Sequence, residues 1–277
     1  MTSVISGRDA CAPAAPVQRR ASGRGSLPGP VRLLGVLVAL VLGGLALGAA
    51  PAQASTNGAM VALGDSVASG MHCACTPFPQ QYAAQVARGT GRSVRMTNLA
   101  FPGATSVDVL AQVARSSVQS TVRSSGTALV MIGANDFEYA FQGVLAHQRR
   151  AYVAFPRVAA RVQANVTQVV RTLQRLHPGI RVVVADYWNV MRDGTVGLRS
   201  YGAWGESKAV QATTYADQGL ARAASATGAT LVSTYTTFKG SRGTLDPTAL
   251  LAADGDHPNA RGHAVIAAAF LRAARSG

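Results

Sequence analysis

The chain has 277 residues, of which 48% are hydrophobic, so a sizeable core is available and global disorder is excluded. Its formal charge is +14, and because only five Arg and one Asp precede residue 55, the remainder stays strongly basic. That balance suits anionic partners such as acidic lipids or cell-wall polymers; with no finger spacing and no basic stripe interleaved with aromatics, nucleic acid is not an expected partner.

Residues 1–32 are rich in Ala, Pro, Gly, Ser and Arg, and residues 33–47 form an almost unbroken apolar run that leads to Ala52-Gln53-Ala54. A basic region, an apolar region and an A-x-A site together read as a secretory signal peptide cut after Ala54. The run is shorter than the ~20 residues of a spanning helix, and a retained signal anchor is the lesser alternative. Residues 55–277 then form one domain, expected outside the cytoplasm, secreted or associated with the cell envelope.

In this domain short apolar runs alternate with longer periodic ones. Residues 59–63 read as a first strand, stopped by Gly64-Asp65-Ser66. A helix is expected over 79–88, a strand over 94–99, a helix over 106–116 and a third strand over 128–132. Val158, Val162, Val166, Val169, Val170 and Leu173 fall at helical spacing, and His177-Pro178-Gly179 closes that helix. Strands over 180–185 and 230–233, a helix over 208–227 and a last helix from about Asn259 complete the chain. Five strand–helix alternations predict an α/β fold with a parallel sheet in a three-layer α/β/α sandwich.

In a parallel sheet the loops after the first three strands meet at one edge, so Ser66, Gly103 and Asn135 should converge. A serine needs a base to become a nucleophile. His257 is the best base available, and Asp254, three residues earlier across Gly255, is placed to orient it. Asp256 is adjacent to His257 and is the less suited partner. An oxyanion needs preorganised donors, which the Ser66 and Gly103 backbone N–H groups and the Asn135 amide could supply. Asp65 and Asp136 read as loop braces.

Gly64-Asp65-Ser66, Asn98-Leu99-Ala100 through Gly103-Ala104-Thr105, Gly133-Ala134-Asn135-Asp136 and Asp254 to Pro258, in this order, resemble the four blocks of the SGNH hydrolases, or GDSL esterases and lipases. Val67 stands where that family usually has Leu. The resemblance spans about 59–275. It implies a flavodoxin-like five-stranded sheet in the order 2-1-3-4-5 and cofactor-free, metal-free ester hydrolysis through an acyl-enzyme. It also implies a catalytic Ser66, Asp254 and His257, with oxyanion donors at Ser66, Gly103 and Asn135. Gly64 to Ala68 also approaches the G-x-S-x-G elbow of α/β-hydrolases, but that elbow follows several strands and this one follows the first. An acyltransferase using the same acyl-enzyme and a non-catalytic wall- or lipid-binding module are the alternatives. Short-chain esters, acylglycerols, phospholipids and acylated glycans all fit as substrates.

Phe137, Tyr139 and Phe141 follow the third strand and Trp188 follows the fourth; they either rim the site or pack in the core. Cys73 and Cys75 are candidates for a disulfide, with free thiols next; no second ligand pair accompanies them, so a zinc site is not expected. His263 reads as a surface or packing residue. His72, His147 and His177 lack carboxylates at useful spacing and read as surface residues.

Overall fold

The computed structural model describes residues 58–148 and 153–276. The expected signal peptide over 1–54 and its cleavage point lie outside the described residues.

Five strands form one parallel sheet: β1 (Ala59–Gly64), β2 (Arg95–Asn98), β3 (Thr127–Met131), β4 (Arg181–Ala185) and β5 (Thr230–Val232). Their order is β2-β1-β3-β4-β5, and every pairing is parallel. β1, β3 and β4 lie inside the sheet and bury almost every residue, which is why they read as continuous apolar runs rather than alternating ones. Parallel strands need covered crossovers, and helices supply them, giving the three-layer α/β/α sandwich.

The helices are α1 (Ser66–Ser69), α2 (Phe78–Thr90), α3 (Ser106–Gln112), α4 (Ser116–Arg123), α5 (Glu138–Leu145), α6 (Ala154–Leu176), α7 (Gly194–Thr227), α8 (Thr234–Lys239) and α9 (Ala260–Ser276). α2 packs on α9, and α6 packs on α7 and α3. The valine stripe of α6 is buried as its spacing requires, and the helix ends at His177. Among the described residues no helix is long and apolar enough to cross a membrane.

The sequence reading begins α7 at about residue 208, but it starts at Gly194, where the Asp193 carboxylate caps it, and breaks at Gly202. Gly194, Gly197, Gly202 and Gly205 dilute the helical signal of its first turns. The short helices α1, α4 and α8 also exceed the sequence reading, being too brief for a period to show.

The chain leaves β1 for the edge at β2 and then returns past β1 to β3. The crevice at the C-terminal ends of β1 and β3 is therefore the place where such sheets take ligands. Gly64 lies opposite Met131 in the register, and a Cβ at Gly64 would stand 2.2 Å from the Met131 carbonyl oxygen. Only glycine lets the chain leave β1 this close to β3.

Candidate active site

Ser66 is the first residue of α1. Asp65 caps that helix, its Oδ1 accepting the Val67 N–H at 3.0 Å. The first N–H groups of a helix have no intrahelical acceptor, so the Ser66 N–H is available to an anion. Behind it, Tyr187 donates its hydroxyl to Asp65 Oδ2. Burial raises the Asp65 carboxyl to about 6, against the pull of the Tyr187 and Val67 donors.

His257 reaches the same place from the C-terminal loop. Its Nδ1 lies 2.7 Å from Asp254 Oδ2, while Asp254 Oδ1 accepts the backbone N–H groups of Asp256 and His257 at 3.0 and 3.1 Å. Burial opposes ionisation of Asp254, but those two N–H groups and the His257 ring outweigh it, and the carboxyl lies below its ordinary value. A carboxylate on Nδ1 fixes the proton there and leaves Nε2 as the basic nitrogen.

The turn between the two residues passes through Gly255 at φ +71°. It is anchored by the Asp193 N–H on the Gly255 carbonyl at 2.8 Å, and Asp193 in turn accepts Lys239 Nζ at 2.7 Å. A one-pair bridge between Leu251 and Pro258 closes the base of the loop.

Asn135 stands just beyond β3. Its Nδ2 donates to the Ala104 carbonyl at 2.8 Å, which uses one of its two N–H bonds and ties it to the turn carrying Gly103. Gly103 has φ +76°, and a Cβ there would meet nothing within 4 Å, so the backbone conformation rather than close packing calls for glycine. The Phe101 N–H on the Gly64 carbonyl, 3.1 Å, pins this turn beside Ser66. Asp136 accepts both the Ser106 N–H and its hydroxyl at 2.7 Å, bracing the start of α3.

A cavity of about 340 Å³ opens at this edge, with Ser66, Asn135 and His257 all in its wall. Asp254 stands behind His257, and Gly103 is not in the wall. Asp256 faces the cavity; burial raises its carboxyl, with His257 pulling it back.

The aromatic rim is a correction. Phe137, Phe141 and Trp188 are fully buried: Phe137 packs near Phe155, Phe141 meets Tyr201 edge-on, and Trp188 stacks on Phe238 at 4.2 Å. Tyr139 is 89% exposed and is not in the cavity wall. Instead the wall holds Glu138, Gln142, Asn189, Met191, Arg192 and Tyr201. Residues four apart share a helix face, so Phe137 and Phe141 point to the core while Glu138 and Gln142 present the next face to the cavity. Reading that stretch as an amphipathic helix would have found them. Tyr187 was equally findable, as a residue just past a strand end.

Cys73 and Cys75 are joined by a disulfide. His263 is fully buried, its Nδ1 accepting the Phe78 N–H at 3.1 Å, and burial lowers it to about 4. His177 bonds the Ser125 carbonyl. His72 departs from its surface reading, because the fold brings its Nε2 to 3.9 Å from Asp254 Oδ2. Spacing along the chain could not show a carboxylate supplied from 182 positions away. Among the described residues two groups bring metal-ligating atoms within 4.8 Å of one another: Cys73, Cys75 and His263, and His72, Asp254 and His257.

The model of the GDSL-like Lipase/Acylhydrolase family matches residues 62–265, which takes in all four blocks. The chain belongs to this family. Solved structures of similar fold include lipases and an esterase. A lipase from a goat-rumen metagenome is 18% identical with a TM-score of 0.65, covering 78% of this chain and 97% of its own. The extracellular lipase of Streptomyces rimosus is 22% identical with a TM-score of 0.57, covering 79% and 99%. An acetylxylan esterase from Geobacillus stearothermophilus is 20% identical with a TM-score of 0.56, covering 78% and 93%. At these identities the likeness is one of fold. No curated protein sequence matches the chain.

Proposed function

We propose that this GDSL-family hydrolase is an exported serine esterase that cleaves small-molecule carboxylic esters through an acyl-enzyme on Ser66. The observation that carries the reading is the Asp254–His257 hydrogen bond of 2.7 Å, with His257 and Ser66 in the wall of one cavity.

The Ser66 hydroxyl attacks the ester carbonyl as His257 Nε2 takes its proton. Negative charge gathers on the former carbonyl oxygen, for which the Ser66 N–H and the second N–H of Asn135 Nδ2 are the donors from the cavity wall, with the Gly103 N–H, from the turn tied to Asn135, as the third. His257 returns the proton to the departing alcohol. Water then repeats the attack on the acyl-enzyme, His257 again serving as base, and the acid leaves. Asp254 holds the imidazole in orientation and stabilises the imidazolium in both halves. Asp65 acts at one remove, by fixing the turn that presents Ser66.

Export rests on the signal-like first 54 residues and on the Cys73–Cys75 disulfide, which suits an oxidising compartment. The basic charge of the domain fits an anionic envelope surface. Ester hydrolysis is common ground between the lipases and the acetylxylan esterase of similar fold.

The test is Ser66→Ala with p-nitrophenyl acetate, beside labelling by a serine-directed fluorophosphonate. Hydrolysis and labelling should both vanish while the circular dichroism spectrum is kept. Undiminished hydrolysis by a folded Ser66→Ala protein would refute the assignment.

A further inference from the structure

His72 comes to the Asp254–His257 pair from a segment of its own, the turn after α1. Its backbone has φ +60°, and Ala74 follows at φ +47°. Left-handed backbone is uncommon for residues with side chains, and such outliers gather at functional sites. The Cys73–Cys75 disulfide closes this turn. It delivers the His72 ring to 5.0 Å from the His257 ring, centroid to centroid. His72 Nε2 lies 3.9 Å from Asp254 Oδ2, the same oxygen that His257 Nδ1 meets at 2.7 Å.

The longer of these distances is beyond a hydrogen bond. It is close to what a metal requires. A tetrahedral centre with ligand bonds of about 2.0–2.2 Å sets its ligand atoms about 3.3–3.6 Å apart. His72 would close on Asp254, and His257 would open from it, each by a fraction of an ångström to about one. The His72 side chain is half exposed and free to make its share of that movement. Two imidazoles and one carboxylate suit a zinc-type ion, whereas magnesium and calcium prefer oxygen alone.

We propose that His72, Asp254 and His257 form an inhibitory site for a divalent cation of the zinc type, with water in the fourth position. The inhibition, though not the binding, rests on the reading of His257 as the base of the esterase. As the metal–nitrogen bond forms at Nδ1, solvent carries the ring proton from Nδ1 to Nε2, so the ring stays neutral and the nitrogen that serves as base loses its lone pair. Asp254 exchanges the imidazole for the cation, so the base loses its orienting partner. The added positive charge also disfavours the imidazolium that the reaction requires at this ring. The ion takes no part in the chemistry.

The neighbouring Cys73, Cys75 and His263 are closed to the same ion. The two sulfurs are bonded to each other, and His263 spends the Nδ1 lone pair on the Phe78 N–H, which leaves Nε2 protonated. The disulfide shapes the turn that carries His72 and is not itself a ligand.

The experiment is calorimetric titration of the full-length Ser66→Ala protein with zinc chloride, and with magnesium chloride as control. One zinc site and no magnesium binding are expected. His72→Asn, chosen because Asn tolerates left-handed backbone, should weaken zinc by about tenfold or more, and Asp254→Asn should do likewise. Zinc should also lower kcat/KM of the unaltered enzyme, and at the same concentration leave that of His72→Asn at its own zinc-free value. No zinc binding, or binding that survives both substitutions, overturns the site. Because the titration needs no nucleophile, its result stands apart from the esterase reading, which fails only if the unaltered protein hydrolyses no ester or Ser66→Ala still does.

Discussion

The Tyr187 hydroxyl donates to the carboxylate of Asp65, the residue immediately before Ser66. Both groups are buried, and they come from the ends of different strands, β4 and β1. The bond therefore clamps the turn that carries Ser66 to the far side of the cavity.

Tyr187→Phe removes that donor and leaves one oxygen of a buried carboxyl without a partner. The expected loss is about 1–3 kcal/mol of unfolding free energy, read from urea titration at pH 7. The Tyr187 hydrogen bond lowers the Asp65 carboxyl, so its removal should push that group further above about 6. Equal unfolding midpoints for the two proteins would remove the clamp from the account.

Asp254 and Asp256 both adjoin His257, and their roles can be separated. Asp254 bonds Nδ1, while Asp256 faces the cavity. Asp254→Asn should lower kcat by about 10²–10⁴, because an amide cannot hold the imidazole in the required state. Asp256→Asn removes a carboxylate that makes no bond to Nδ1 and should cost at most about tenfold, roughly 1.4 kcal/mol in the barrier. Steady-state kinetics on a p-nitrophenyl ester decides; a reversed order of effects would transfer the orienting role to Asp256.

Asn135→Ala takes away a side-chain donor and also the bond to the Ala104 carbonyl, 2.8 Å, that holds the Gly103 turn. Loss of one oxyanion donor lowers kcat by about 10²–10³. Asn135→Asp separates the two contributions, since it keeps the shape but turns a donor towards an oxyanion into a negative charge. Its kcat should fall at least as far as that of the alanine variant. Activity close to normal in Asn135→Asp would exclude the amide from the oxyanion site.

The sheet was legible because β1, β3 and β4 are buried on both faces, so each appears in the sequence as an apolar run ended by glycine or a polar turn. Ser66 and Asn135 were legible because parallel topology gathers strand ends at one edge without knowledge of any side chain, and His257 because an imidazole three residues after Asp254 is the base a serine needs. The cavity wall was not. Glu138 and Gln142 share a short helix with buried Phe141, with buried Phe137 just before it, and the aromatic residues mark its core-facing side. His72 was hidden for a different reason: its partner, Asp254, is contributed by the other end of the domain. The break at Gly202 was hidden because glycines weaken a helical pattern whether or not the helix stops.

His263 links stability to pH, and the sign follows from its burial. Its ring is neutral and held at about 4, below the ordinary 6.5, first by burial and then by the nearby charge of His257. The unfolded chain therefore binds a proton between those two values that the folded chain refuses, and stability falls as pH drops from about 6.5 to about 4. Buried Asp65, raised by burial to about 6, acts in the opposite sense over much of this range, since its folded form holds a proton that the unfolded form releases. His263→Gln isolates the histidine: it keeps an oxygen to accept the Phe78 N–H but does not titrate. The variant should be less stable than the unaltered protein at pH 7, where the imidazole packs beside Phe78, with ring centroids 6.2 Å apart. The gap should narrow steadily towards pH 4 as the unaltered protein alone loses stability to proton uptake. Urea midpoints at half-unit pH steps measure it, and a gap that stays constant from pH 7 to pH 4 would show that His263 titrates alike in the folded and unfolded chain.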